Sequence, residues 1–178
     1  MTAIALVAVV GLLVAACGSS SPSASSSSPS PTPSPKLISK VDACTLVTAA
    51  EASTTTGKTL ANLGGASAIQ VPGACLYSSS DGATTVVIFG QAYPDTTTAD
   101  AVSPEQIAAA MNAGAGLSNT KTLNGIGDKA IESTINSGGT GGIIIIVFKA
   151  NVVMMIAVTP AVSSNALEQL ARTAAGRL

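Results

Sequence analysis

The side chains of this 178-residue chain that could do chemistry are few. Histidine is absent, which removes the commonest general base and the commonest metal ligand. Ser118 and Lys121 have the S-x-x-K spacing of serine acylases, in which a lysine one helical turn away activates the hydroxyl. The companion S-D-N and K-T-G motifs are missing, and the surrounding sequence predicts a loop. We therefore keep a Ser–Lys hydrolase only as an alternative function. The sequence predicts no catalytic residue.

Two further patterns resemble binding sites but are incomplete. Gly57-Lys58-Thr59 matches the end of a phosphate-binding loop, yet the required earlier glycine is Ala52. A helix stop followed by a solvated lysine explains it better. Asp95, Asp100 and Glu105 lie near a threonine-rich loop without the dense oxygen spacing of a calcium loop. The sequence thus predicts no cofactor and no metal site.

The charge distribution argues against nucleic acid as a partner. The chain has eight basic and nine acidic residues, and no two basic residues are adjacent. Binding to phosphates requires clustered lysine or arginine. Only four aromatic residues are present, so stacking on bases is not expected either.

The N-terminal residues have the pattern of an export signal. Ala3 to Ala16 is apolar or small throughout, but about fourteen residues are too few to span a membrane. The run ends in Leu13-Val14-Ala15-Ala16-Cys17-Gly18, which resembles the lipobox of bacterial lipoproteins. That resemblance implies a signal peptide at 1–16, diacylglycerol and palmitate on Cys17, and a lipid anchor at the extracytoplasmic face of the cell membrane. The start, Met1-Thr2-Ala3, departs from the pattern by lacking a positive charge; the other interpretation is an uncleaved buried helix with a chance cysteine.

Residues 17–36 are expected to form a disordered tether behind the lipidated cysteine. Gly18 to Lys36 consists almost entirely of serine, proline, threonine and glycine, which bury too little apolar surface to offset chain entropy. At about 3.1 Å per residue its greatest reach is roughly 60 Å.

Residues 37–178 are predicted to form one α+β domain. Val152 to Val158 and Ile143 to Phe148 are apolar at every position, whereas a strand with one face in water would alternate. We therefore expect a single layered domain, an antiparallel sheet of about five strands packed by three helices. A bilayer insertion of 143–158 is the rival interpretation, which Lys149 and Asn151 interrupt.

Local signals place the elements of this domain. A capping box at Thr48 and Glu51 predicts a helix that stops at Gly57, and Asp81-Gly82 predicts a hairpin turn. The predicted helices are Ala49 to Thr56, a second from Ser103 to Gly114, and a third capped by Ser163 or Ser164. The predicted strands are Cys75 to Ser79, Thr84 to Ala92, Ala130 to Ile135, Ile143 to Lys149 and Val152 to Thr159.

The three cysteines have two different expected roles. With Cys17 acylated, Cys44 and Cys75 remain to form a disulfide in an oxidising compartment. A redox-active pair is the alternative, but the spacing is not C-x-x-C and no basic residue flanks Cys75.

Three segments of the domain resemble a known group of proteins. They are Asp42-Ala43-Cys44-Thr45-Leu46-Val47-Thr48-Ala49-Ala50-Glu51, Cys75-Leu76-Tyr77 and Gly125-Ile126-Gly127-Asp128-Lys129-Ala130. This pattern resembles uncharacterised actinobacterial cell-envelope lipoproteins, some grouped as a domain of unknown function. Tyr77 replaces the commoner tryptophan. The resemblance implies an envelope lipoprotein with one disulfide and supplies no activity.

Together these observations predict a non-enzymatic accessory module of the cell envelope. Its expected partners are the membrane, through the anchor, and an envelope protein or a small apolar ligand. A sensory module serving a membrane partner, or a hydrolase acting on envelope substrates, are the alternatives.

Overall fold

The protein is described by a computed structural model, which covers residues 36–64, 73–104, 106–107, 117–137 and 139–178. The predicted signal peptide and all but the last residue of the predicted tether lie outside these ranges. Among the described residues, no helix is both long and apolar enough to cross a bilayer.

A seven-stranded antiparallel sheet forms the centre of the domain. The spatial order is β1-β2-β3-β7-β6-β5-β4, so the sheet is larger than the five strands expected from the sequence. Its strands are β1 (Ala61–Asn62), β2 (Ala74–Ser78), β3 (Thr85–Ala92), β4 (Leu117–Leu123), β5 (Lys129–Ser137), β6 (Thr140–Lys149) and β7 (Val152–Thr159). The two strands missed by sequence, β1 and β4, are the two edges.

Four helices lie wholly within the described residues, where three were expected in the whole domain. They are α1 (Ala43–Leu46), α2 (Ala49–Thr56), α3 (Thr96–Asp100) and α4 (Ser164–Gly176). The helix predicted after Ser103 begins as expected, because Gln106 N–H donates to Ser103 Oγ and Ser103 N–H donates to Gln106 Oε1. Its continuation over 108–116 lies outside the described residues.

The central strands are covered on both faces, as their unbroken apolar sequences predicted. Successive side chains of β6 and β7 enter two separate cores. One core includes Ile145 and Ile156 and packs beneath α1, α2 and α4. The other includes Ile146 and Met155 and packs with Ala99 of α3. All four of these strand residues are at most 1% exposed.

Local capping explains where the helices start and stop. In α2, Thr48 Oγ1 accepts from Glu51 N–H while Glu51 accepts from Thr48 N–H, and Gly57 ends the helix at φ +67°. In α4, Ser163 Oγ accepts from Ala166 N–H. Both helix starts therefore follow the sequence prediction.

Candidate functional site

A cleft between α2 and α4 lies on the helical side of the domain. Its volume is about 300 Å³. It is lined mainly by apolar surface, from Ala50, Glu51, Thr54, Thr55, Ala166, Gln169, Leu170 and Thr173. No residue of this set was singled out from the sequence as a binding residue, since Leu170 is an ordinary core residue and the others carry no binding motif.

The hydroxyl groups of the cleft are used within the helices. Thr54 Oγ1 donates to the Ala50 carbonyl at 2.9 Å, and Thr55 Oγ1 donates to the Glu51 carbonyl at 2.9 Å. On the opposite wall, Thr173 Oγ1 donates to the Gln169 carbonyl at 3.0 Å. These internal bonds consume the hydroxyl protons. The threonines therefore offer a ligand methyl groups and acceptor lone pairs rather than donors.

Glu51, which lines the cleft, forms an ion pair with Arg177. Arg177 donates to both carboxylate oxygens of Glu51, at 2.5 and 2.8 Å, and also to the Leu46 carbonyl at 2.6 Å. The hydrogen bond from Arg177 lowers the pKa of Glu51 from 4.5 to about 2, while Glu51 raises the pKa of Arg177. The charge of Glu51 is thus matched inside the protein, so the cleft does not present a free carboxylate.

A disulfide bond ties α1 to the sheet. Cys44 and Cys75 form the disulfide predicted from the cysteine count, with their Cα atoms 5.1 Å apart. Cys75 is fully buried in β2, and the bond ties it to α1. The buried Tyr77 hydroxyl donates to the Val47 carbonyl, and burial raises the pKa of Tyr77. Tyr77 therefore takes a packing position, and its phenol is not at the surface.

The Ser118–Lys121 pair does not have the helical geometry that the acylase motif requires. Both residues lie in β4, where a loop was expected, with a bulge between them. Ser118 Oγ contacts Thr134 Oγ1 at 2.8 Å, whereas Lys121 Nζ pairs with Glu132 at 3.0 Å. The hydrogen bond to Glu132 raises the pKa of Lys121, which opposes its use as a base. This geometry favours an ion-pairing lysine.

Glu132 is the most deeply buried acidic side chain near that pair. Its Oε1 accepts from Ser164 Oγ at 2.8 Å at the start of α4, while Oε2 has no hydrogen-bond partner among the described residues. Glu168 adds a longer contact to Lys121 at 3.7 Å. This cluster joins β4 and β5 to the last helix.

The other residues weighed from the sequence as parts of binding sites are Asp95, Asp100, Glu105 and Lys58. Asp95 caps α3 by accepting from Thr98 N–H at 2.7 Å, and Asp100 ends the same helix. Glu105 lies outside the described residues. Within the described ranges no three acidic or cysteine side chains are grouped as metal ligands. Lys58 is exposed after the helix stop at Gly57.

The glycine-rich turn of the family-like motif approaches the sheet closely. Gly127 has φ +59°, and a Cβ placed on it would lie 2.5 Å from the Phe148 carbonyl oxygen. The next residue, Asp128, accepts from Ala150 N–H at 2.6 Å. The turn therefore holds the β6–β7 hairpin in place.

A second cleft, of about 390 Å³, lies where the domain begins, and we call it the junction cleft. It is lined by Leu37, Ile38, Ser39, Ala92, Tyr93, Pro94 and Asn151. The buried Asn151 exchanges two hydrogen bonds with the Ile38 backbone, at 2.8 and 2.7 Å, and donates to the Tyr93 carbonyl. Sequence reasoning missed this role. The available signal was an asparagine between two apolar strands.

Comparison with known proteins gives a fold and no family. No family model and no curated protein matches the chain. Among solved structures, the chain is similar to the extracellular domain of PknH from Mycobacterium tuberculosis, with a TM-score of 0.51 and 10% sequence identity. The similarity covers 80% of this chain and 97% of that one. At this identity the two chains share a fold.

Proposed function

We propose that the chain is a lipid-anchored extracytoplasmic accessory module that binds an envelope protein or a small apolar ligand. Three observations support this placement: the lipobox-like sequence ending in Cys17, the Cys44–Cys75 disulfide, and a fold shared with an extracellular domain. Disulfides persist in oxidising compartments, and acyl chains on Cys17 would hold the module at the membrane.

The α2–α4 cleft is the proposed binding site, and its lining is the observation that carries the proposal. At about 300 Å³ it is at the lower end of the size range of ligand pockets. Its methyl-rich walls and internally satisfied hydroxyls suit an apolar group or an apolar side chain of a partner. The Glu51–Arg177 pair supplies a polar rim.

Capture by the full lipidated chain in detergent tests the site. We expect a partner or ligand, detected by pull-down and native mass spectrometry, to be lost from Thr54→Arg, which places a large charged group in the cleft. Thr97→Arg is the matched control, since Thr97 is an exposed threonine on α3 outside the cleft. Retention of the same ligand by Thr54→Arg would show that binding occurs elsewhere.

Intact mass of the native protein tests the anchor. We expect a mature chain that begins at Cys17 and carries diacylglycerol and further acyl mass. Cys17→Ser should remove the lipid and release the protein from membranes. A native chain that still contains residues 1–16 with an unmodified sulfur would contradict this part of the proposal.

The family assignment is likewise a proposal. The segments beginning at Asp42, Cys75 and Gly125 support membership of the uncharacterised actinobacterial envelope lipoproteins. A solved member of that group with the same cysteine pairing and sheet order would support the assignment. Different pairing would contradict it.

A sensory module serving a membrane partner is the second candidate, and the shared fold with the PknH extracellular domain favours it. Crosslinking in intact cells followed by identification of the captured proteins tests this. Recovery of one integral membrane protein with a cytoplasmic output domain would favour the sensory module over the accessory module.

The hydrolase alternative has its own test. Because Lys121 is paired with Glu132 and its pKa is raised, we expect no labelling of Ser118 by a fluorophosphonate or β-lactam probe. Labelling that disappears in Ser118→Ala would restore the enzyme hypothesis.

A further inference from the structure

Leu37 is an exposed leucine at the point where the domain meets the preceding chain. Among the described residues, Leu37 and Leu63 are the large hydrophobic side chains that remain exposed, at 50% and 53%. Leu37 shares the junction cleft with Tyr93 and Pro94, whereas Leu63 follows the edge strand β1. Together, Leu37, Tyr93 and Pro94 give this end of the domain a small apolar surface.

The junction is held rigidly to the sheet. Asn151 is 1% exposed and binds both the N–H and the C=O of Ile38, and Tyr93 N–H donates to the Asn151 carbonyl at 2.7 Å. The position of Leu37 relative to Tyr93 is therefore set by the fold. The side chains next to it in sequence, Lys36 and Lys40, are both exposed.

We propose that this end of the domain, defined by Leu37, Tyr93 and Pro94 with Lys36 and Lys40, rests on the surface of an anionic membrane. The inference rests on the proposed lipid anchor at Cys17. Leucine and tyrosine suit the boundary between headgroups and acyl chains, and lysines beside them attract anionic headgroups. Asp42 and Asp95 are the nearest acids in sequence, and both are exposed. Each caps a helix start, where the backbone N–H groups that donate to it supply a partial positive charge that offsets part of its own.

The length of the tether between Cys17 and Leu37 makes a weak membrane contact effective. Nineteen residues separate Cys17 from Leu37, with a reach of roughly 60 Å when extended. An anchored chain of that length keeps Leu37 at high local concentration near the bilayer, because the second contact is intramolecular. A small patch then suffices to seat the domain, although it would not hold an untethered protein.

A tryptophan reporter tests the contact, because the natural chain contains no tryptophan. The full lipidated Leu37→Trp chain is reconstituted into vesicles of phosphatidylcholine and phosphatidylglycerol in which the phosphatidylcholine carries brominated acyl chains. Leu63→Trp is the matched control, since the two leucines are almost equally exposed. We expect blue-shifted emission and several-fold stronger bromine quenching for Leu37→Trp than for Leu63→Trp.

The outcomes separate the anchor from the contact. Co-sedimentation with vesicles reports the anchor. A chain that sediments but shows equal quenching at both positions overturns the membrane contact and leaves the anchor intact. A chain that does not sediment overturns both. Adding Lys36→Ser and Lys40→Ser to the Leu37→Trp chain should weaken its seating on anionic vesicles by up to about fivefold per lysine. Unchanged quenching would contradict the electrostatic part.

Discussion

Arg177 and Glu51 form a two-point ion pair, with nitrogen–oxygen distances of 2.5 and 2.8 Å, beside the α2–α4 cleft. The pair joins residues 126 positions apart in the chain. Glu51 also completes the capping box of α2, so one carboxylate both starts a helix and binds the last one.

The first prediction is that this pair stabilises the fold only above strongly acidic pH. Since the folded pKa of Glu51 is lowered to about 2 from 4.5, its stabilisation is complete above pH 4.5 and is lost as the pH falls towards 2. Glu51→Gln keeps the cap acceptor but removes the charge, and we expect it to lower the free energy of unfolding by about 1 kcal/mol at pH 7. Urea denaturation at several pH values measures this. A difference from wild type that persists unchanged at pH 2 would contradict the assignment; Asp100→Asn, an exposed charge on α3, is the control.

The second prediction concerns the disulfide. Cys44 and Cys75 are 31 residues apart, and closing a loop of that length restricts the unfolded chain. We expect Cys44→Ser with Cys75→Ser to lower the free energy of unfolding by about 3–4 kcal/mol. The same loss should follow reduction of the wild-type protein in denaturant. If reduction left the denaturation midpoint unchanged, the disulfide would not contribute to the free energy of unfolding.

Local sequence signals were sufficient for most of the interior of the domain. The capping box at Thr48 gave the bounds of α2, and Asp81-Gly82 gave the β2–β3 hairpin. The unbroken apolar run of β7 gave its exact range, Val152–Thr159, and its burial on both faces. In each case the residues themselves specify the conformation.

The edge strands of the sheet and the contacts around the clefts could not be predicted from local sequence signals. In β4, Leu117–Leu123, the five central residues are exposed, so no alternating pattern marks the strand; pairing with β5 makes it one. The bond between Asn151 and Ile38 links residues 113 positions apart. Such pairings arise only once the chain is folded, because the sequence around one partner does not indicate where the other partner lies.

The third prediction separates two glycines with similar backbone angles. Gly57 at φ +67° has open space around it, whereas a Cβ on Gly127 at φ +59° would collide with the Phe148 carbonyl oxygen. We expect Gly57→Ala to cost about 1 kcal/mol, from the backbone conformation alone. Gly127→Ala should cost at least about twice as much, because the turn must also shift. Thermal or urea denaturation of both variants measures this, and equal costs would show that the turn at Gly127 is not tightly packed.

The fourth prediction is that Asn151 fastens the start of the domain to the sheet. Asn151→Ala removes its bonds to Ile38 and Tyr93 and leaves partly buried backbone groups without these partners, at a cost of about 1–3 kcal/mol. The effect should be local as well as global. Hydrogen exchange at the Ile38 amide should accelerate more than exchange in the central strands. Asn136→Ala, at the exposed end of β5, should leave Ile38 protected. Unchanged exchange at Ile38 in Asn151→Ala would mean that other contacts hold this segment, and the rigid placement of Leu37 beside Tyr93 would then lose its physical basis.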